Sequence, residues 1–137
     1  YQPSTMTPSN LINSSQIQQL GGVSRQYKSG LLHTIDVSGG GTVIDDLFVA
    51  KLKGQSKLVA LNLKATAISD AAISVLQSLT SLETLDLSET QITDVALDGL
   101  SNMHHLKVLG LTNTLVSQQR VREIRAAMLN TRIIYVE

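Results

Sequence analysis

The sequence predicts an α/β solenoid, in which short parallel strands line one side of a stack of repeats and short helices cover the other. Three observations carry that prediction. The 137-residue chain holds 21 leucines but no cysteine, no tryptophan and one phenylalanine, so its core is almost purely aliphatic. Its leucines recur at a fixed period of 24 residues, within the range of stacked repeat units. Inside each period the apolar spacing switches from alternation to every third residue, as a strand followed by a helix requires. The length suits a single domain, which argues against an enzyme with separate cofactor and substrate lobes.

Residues 1–13, with both prolines and several Ser and Thr, read as a flexible segment. Residues 14–30 read as an N-terminal cap: Ile17, Leu20 and Val23 keep helical spacing, Ser14 or Ser15 can cap the helix, and Gly21-Gly22 ends it. Such a cap shields the first strand edge, because terminal units of a repeat stack face solvent on one side. The repeat domain spans 31–137.

Three of its units align without gaps, at about 58–81, 82–105 and 106–129. Leu58, Leu82 and Leu106 form one column, Leu61, Leu85 and Leu109 a second, and Leu63, Leu87 and Leu111 a third. Thr66, Thr90 and Thr114 follow, then Ile68, Ile92 and Val116. The helical columns are Ile73, Leu97 and Val121; Leu76, Leu100 and Ile124; and Leu79, Met103 and Ala127. A looser first unit covers about 32–57, where Leu32, Ile35 and Val37 repeat the strand spacing and Leu47 and Ala50 align with Ile73 and Leu76. Its two extra residues are placed near Lys53 to Lys57. Ile133 and Tyr135 mark a partial closing unit over 130–137.

The pattern L-x-x-L-x-L-x-x-T-x-I-[ST]-D over residues 31–136 resembles the leucine-rich repeat family, in a short subtype where Thr replaces the usual Asn after the strand. The resemblance implies a curved, right-handed solenoid with its sheet on the concave side and helices on the convex side. It also implies a protein-binding module, with no catalytic residues and no cofactor.

Each bend needs partners for backbone groups that leave the sheet, and Thr66, Thr90 and Thr114 are expected to bond neighbouring turns through their hydroxyls. Asp70 and Asp94 precede helical stretches and are expected to be N-caps, with Asp45 or Asp46 and Ser117 in the same role elsewhere. Every Ser or Asp at a repeated position thus has a structural role, and nothing singles out one unit as a reaction centre.

Eleven Lys and Arg balance eleven Asp and Glu, which argues against a nucleic-acid binder that relies on phosphate neutralisation, and four aromatics are too few for base stacking. No apolar run is long enough to span a membrane, and the polar start does not read as a secretory signal. A chain that starts at Tyr1 reads as a processed or trimmed product. The absence of cysteine favours a reducing, intracellular compartment.

The candidate binding surface is the sheet face between the buried leucines. It comprises Thr34, Asp36 and Ser38; Ala60, Asn62 and Lys64; Thr84, Asp86 and Ser88; and Val108, Gly110 and Thr112. Its mildly acidic middle column suits a partner segment carrying Lys or Arg, although it lacks the Tyr, Trp and Arg that usually anchor interfaces. A second candidate surface is Arg122, Arg125 and Arg132, because residues 61–100 carry six acids and one lysine whereas 101–137 carry five cations and two acids. Ser38-Gly39-Gly40-Gly41-Thr42 lacks both phosphate-loop spacings and reads as a bend. His104, His105 and His33 do not converge for a metal. The sequence therefore points to a protein-interaction adaptor. The rival is an assembly subunit held permanently in a larger complex; a small-ligand receptor or enzyme is the weaker alternative.

Overall fold

The computed structural model describes residues 12–136. It begins with helix α1 (Ser14–Gln19), followed by β1 (Val23–Gln26), β2 (Leu32–Asp36), β3 (Gly41–Asp45) and α2 (Asp46–Ala50). Then come β4 (Ala60–Asn62), β5 (Thr66–Ala67), a 3-10 turn at Asp70–Ala72 leading into α3 (Ile73–Ser78), β6 (Thr84–Asp86) and α4 (Asp94–Leu100). The chain closes with β7 (Val108–Gly110), α5 (Gln118–Ala127) and β8 (Arg132–Ile134).

The principal sheet has the order β1-β2-β4-β6-β7-β8. Every pair is parallel except β1 with β2. Ile35, Leu61, Leu85, Leu109 and Ile133 stand side by side across it, all buried. Helices α3, α4 and α5 bury Ile73 and Leu76, Leu97 and Leu100, and Val121 and Ile124 against the other side of one continuous aliphatic core. No helix among the described residues is long and apolar enough to cross a membrane.

The first unit departs from its expected alignment. Leu47 is 74% exposed and Ala50 is exposed, while Phe48, Val49 and Leu52 are buried in their place. Those three match Ala72, Ile73 and Leu76 at a spacing of 24, whereas the strand residue Ile35 pairs with Leu61 at 26. The two extra residues therefore lie in the glycine bend before α2, not near Lys53 to Lys57. The bend absorbs them as a register irregularity between Gly41 and Asp45 where β3 pairs with β5. Glycines at 39 and 41 permit this, with φ of +77° and +57°.

At the N-terminus the cap of α1 is Asn13, not Ser14 or Ser15. Its side chain accepts the Gln16 N–H at 3.0 Å, and the Gln16 side chain accepts the Asn13 N–H at 2.9 Å. Val23 leaves the helix and opens β1, where it is 69% exposed. At the C-terminus Ala127 is exposed and Met128 fills the core instead, because α5 runs to ten residues and carries the column one position on. Leu129 is exposed as well.

The bends share a left-handed residue. Ala65, Glu89 and Asn113 have φ of 58°, 59° and 57°, and Gly39 holds the equivalent place in the first unit. The threonine that follows bonds within its own unit rather than to its neighbour. Thr66, Thr90 and Thr114 donate to the carbonyls of Leu63, Leu87 and Leu111 at 2.7, 2.6 and 2.9 Å.

The ties between units come from aspartates, and in a different role from the expected one. Ser69 and Thr93 cap the turns that Asp70 and Asp94 were expected to cap. Asp70 instead reaches forward, accepting the N–H and hydroxyl of Thr93 at 2.7 and 2.6 Å. Asp46 does the same for Ser69, and Asp94 accepts the Ser117 N–H at 2.6 Å. Asp45 and Ser117 are the N-caps of α2 and α5.

One buried polar residue joins the first segment to the array. Gln55 accepts the Leu32 N–H at 3.1 Å and donates to the Ile12 carbonyl at 3.0 Å. It stands in line with the apolar column of Leu79 and Met103, and its buried amide is satisfied by these two backbone groups.

Candidate functional site

Strand alternation turns Thr34 and Asp36 of β2, Ala60 and Asn62 of β4, Thr84 and Asp86 of β6, and Val108 and Gly110 of β7 to the outer face of the principal sheet. Parallel register sets Asp36, Asn62, Asp86 and Gly110 in one row and Thr34, Ala60, Thr84 and Val108 in another. The first three members of each row line a shallow depression of about 200 Å³.

The polar groups of this face are partly engaged. Asp36 accepts the Ser38 N–H and hydroxyl at 3.0 and 2.7 Å, Asn62 accepts the Lys64 N–H at 3.0 Å, and Asp86 accepts the Ser88 N–H at 2.9 Å. Each uses a single side-chain oxygen to hold the turn that leaves its strand. Gly110 lacks that oxygen, and a Cβ there would lie 2.5 Å from Asp86 Oδ1. Its turn is held by Ser88, whose hydroxyl accepts the Thr112 N–H at 3.2 Å.

Not every expected residue lies on open surface. Ser88 is buried. Lys64 pairs with Glu89 at 3.5 Å, and the Thr112 hydroxyl accepts the Val136 N–H at 3.2 Å. Three contributors were missed, one of them Ile134, which stands opposite Gly110 in β8. Antiparallel register places Val23 opposite Asp36 and Arg25 opposite Thr34, so both continue the face beyond β2. The alternating Val23-Ser24-Arg25-Gln26 after a double glycine was the available signal.

Charge is distributed unevenly in its partners. Among the described residues all ten carboxylates have a hydrogen bond or ion pair: seven hold backbone N–H groups, hydroxyls or both, or an arginine, as at Asp36, Asp70 and Asp98, and the glutamates pair with cations. Arg120 bridges Asp98 and Glu123; the Glu123 hydrogen bond, followed by the field of Asp98, raises its pKa. Of the second candidate surface, Arg125 donates to the Ile133 carbonyl at 3.1 Å, tying α5 to β8. Arg122 and Arg132 are exposed and make no such bond among the described residues, and Arg132, opposite Val108, lies on the sheet face rather than apart from it.

The glycine bend offers no anion cradle. Its Gly39 and Gly41 N–H groups donate to the Lys64 and Ala65 carbonyls at 2.8 and 3.1 Å. His33 hydrogen-bonds Thr34 and meets Tyr27 edge-on, far from the adjacent pair His104 and His105 in sequence. Among the described residues no three His, Asp or Glu are grouped to hold a metal.

A family model described as "Leucine rich repeat" matches residues 56–116. Among solved structures, an internalin from Listeria monocytogenes str. 4b F2365 is similar at 16% identity with a TM-score of 0.38. The match covers 98% of this chain and 53% of that one, so the chain spans about half of the internalin's length. No curated protein matches the sequence.

Proposed function

Because this chain is a leucine-rich repeat protein, we propose that it is a non-enzymatic interaction module, an adaptor that binds another protein through the outer face of its principal sheet. In this reading the stack is a right-handed solenoid with that face on its concave side, and α1 with β1 is its N-terminal cap. One observation carries the proposal. Residues from three successive units, Thr34, Asp36, Ala60, Asn62, Thr84 and Asp86, share one depression, so a single extended segment can touch all three.

The side chains there are short, so they leave room for the partner's long ones. Asp36 and Asp86 supply the negative charge, and a Lys or Arg of the partner complements it. Charged rim contacts of this kind steer association more than they add affinity, so the apolar Val23, Val108 and Ile134 at the two ends are assigned the desolvated contacts.

Affinity capture from the source with the intact chain as bait, quantified against variants, tests this. Thr84→Arg, which fills the depression, and the pair Asp36→Asn with Asp86→Asn, which keep the turn acceptors but remove charge, should each lower recovery of the same captured chain at least tenfold. Thermal unfolding should stay within about 2 °C of the parent, as expected for surface changes. Capture that survives these changes but is lost on Arg122→Glu, on α5 rather than on the sheet, would overturn the sheet-face assignment and favour the assembly-subunit reading.

A further inference from the structure

We propose that the chain has a second binding site, independent of the sheet face, for a small molecule with an anionic head and an apolar body. The site is a recess of about 600 Å³ between the turn joining β1 to β2 and the approach to β4, lined by Tyr27, Lys28, Ser29, Leu31 and Lys57.

Its walls are fixed from several directions. The Tyr27 hydroxyl donates to the Lys57 carbonyl at 3.2 Å, pinning the β1–β2 turn to the first unit across 30 residues of sequence. The Tyr27 ring stands edge-on to His33, with centroids 5.1 Å apart and planes at 70°. The Tyr27 N–H donates to the Leu31 carbonyl at 2.9 Å, and the Gly30 N–H returns to the Tyr27 carbonyl at 3.0 Å, which closes the turn. The recess is thus a built feature with an aromatic face and a half-buried leucine.

Charge sets the ligand. Among the described residues all ten carboxylates have partners, but seven of the eleven cations have none, and Lys28 and Lys57 are two of them. Lys51 and Lys53, also unpartnered, follow α2 on the approach to Lys57. In sequence, no acid lies between Asp46 and Asp70. Two lysines among the five lining residues of a largely apolar recess complement a carboxylate joined to a hydrocarbon body, and the volume lies within the roughly 300–1,000 Å³ of small-molecule sites. Lysine stems pack along such a body while their heads reach its charge.

Titration of the isotope-labelled intact chain with decanoate, below its micelle concentration, tests the site by backbone amide shifts. Saturable shifts centred on residues 27–31 and 57 are expected, with no saturation by acetate, which has the head alone, or by decyltrimethylammonium, whose head is cationic. Lys28→Glu with Lys57→Glu should weaken decanoate binding at least tenfold. These side chains are exposed and the Tyr27 bond is to the Lys57 backbone, so the fold should be unaffected; an unchanged amide spectrum elsewhere verifies that. Absence of saturation, equal binding by the cationic amphiphile or by the double variant, or binding only to anionic lipid vesicles would each overturn the proposal. None of these outcomes bears on capture through the sheet face.

Discussion

At the scale of single residues, the most exposed cost in the structure is the left-handed turn that ends each strand. Gly39 adopts it freely and Asn113 tolerates it, but Ala65 and Glu89 carry a Cβ into a conformation that costs roughly 1–2 kcal/mol for an ordinary L-residue. Replacing Ala65 by glycine removes that strain and adds chain entropy to the unfolded state, worth about 0.4–1 kcal/mol in the opposite direction. Strain relief is the larger effect. Ala65→Gly should therefore raise the unfolding free energy by about 0.5–1 kcal/mol, measured as a higher midpoint in urea at unchanged slope. The reverse change at the equivalent place, Gly39→Ala, should lower it by a similar amount. A loss of stability in Ala65→Gly would mean that the alanine methyl group makes contacts worth more than its strain.

At the scale of elements, the turns that open α3, α4 and α5 each depend on the unit before them. The Thr93 hydroxyl accepts the Val95 N–H at 3.2 Å while donating to Asp70, so the aspartate orients the cap of the next unit's helix as well as binding its backbone. Asp70→Ala leaves the Thr93 N–H and hydroxyl without their acceptor in a half-buried place, and should cost about 1–3 kcal/mol. Asp70→Asn keeps one acceptor oxygen and should cost less. Hydrogen exchange should report the change first at the opening turn of α4 rather than at α3, since the lost bonds belong to the following unit. This arrangement also explains what the sequence could and could not reveal. The strand columns were legible because burial dictates them: a leucine every 24 residues has no other use in so aromatic-poor a chain. The Ile-[Ser/Thr]-Asp run was visible too, but the division of labour within it was not, because Asp70 and Thr93 meet only when units stack. In the first unit the strand and the helix follow different spacings, and aligning both on the strand set Leu47 where Val49 belongs. The matching runs Ile44-Asp45-Asp46 and Ile68-Ser69-Asp70 held the correct answer. The candidate face was readable from alternation alone. Its extension by Val23 and Arg25 was not, since an antiparallel strand joined to a parallel sheet leaves no mark in a repeat period.

At the scale of the whole molecule, every described unit leans on its neighbours through a shared core and through these aspartate ties, so stability should depend on position along the stack. Leu85 is fully buried with Leu61 on one side and Leu109 on the other. Ile133 occupies the same column but, among the described residues, has a strand neighbour on one side only, and retains 8% exposure. Truncation of a buried leucine to alanine typically costs about 2–5 kcal/mol, increasing with the cavity that cannot collapse. Leu85→Ala should fall in the upper half of that range and lower the midpoint of the entire unfolding transition, because both adjoining interfaces lose contacts. Ile133→Ala should cost less in the global transition and act locally: amides of β8 and the end of α5 should exchange faster while those of β4 and β6 stay protected. The Arg125 bond to the Ile133 carbonyl limits how far that fraying spreads, so combining Ile133→Ala with Arg125→Ala should extend fast exchange into α5. Equal global destabilisation by Leu85→Ala and Ile133→Ala would contradict a stack whose terminal unit is held on one side, and would require the closing strand to be as integral to the fold as the middle of the sheet.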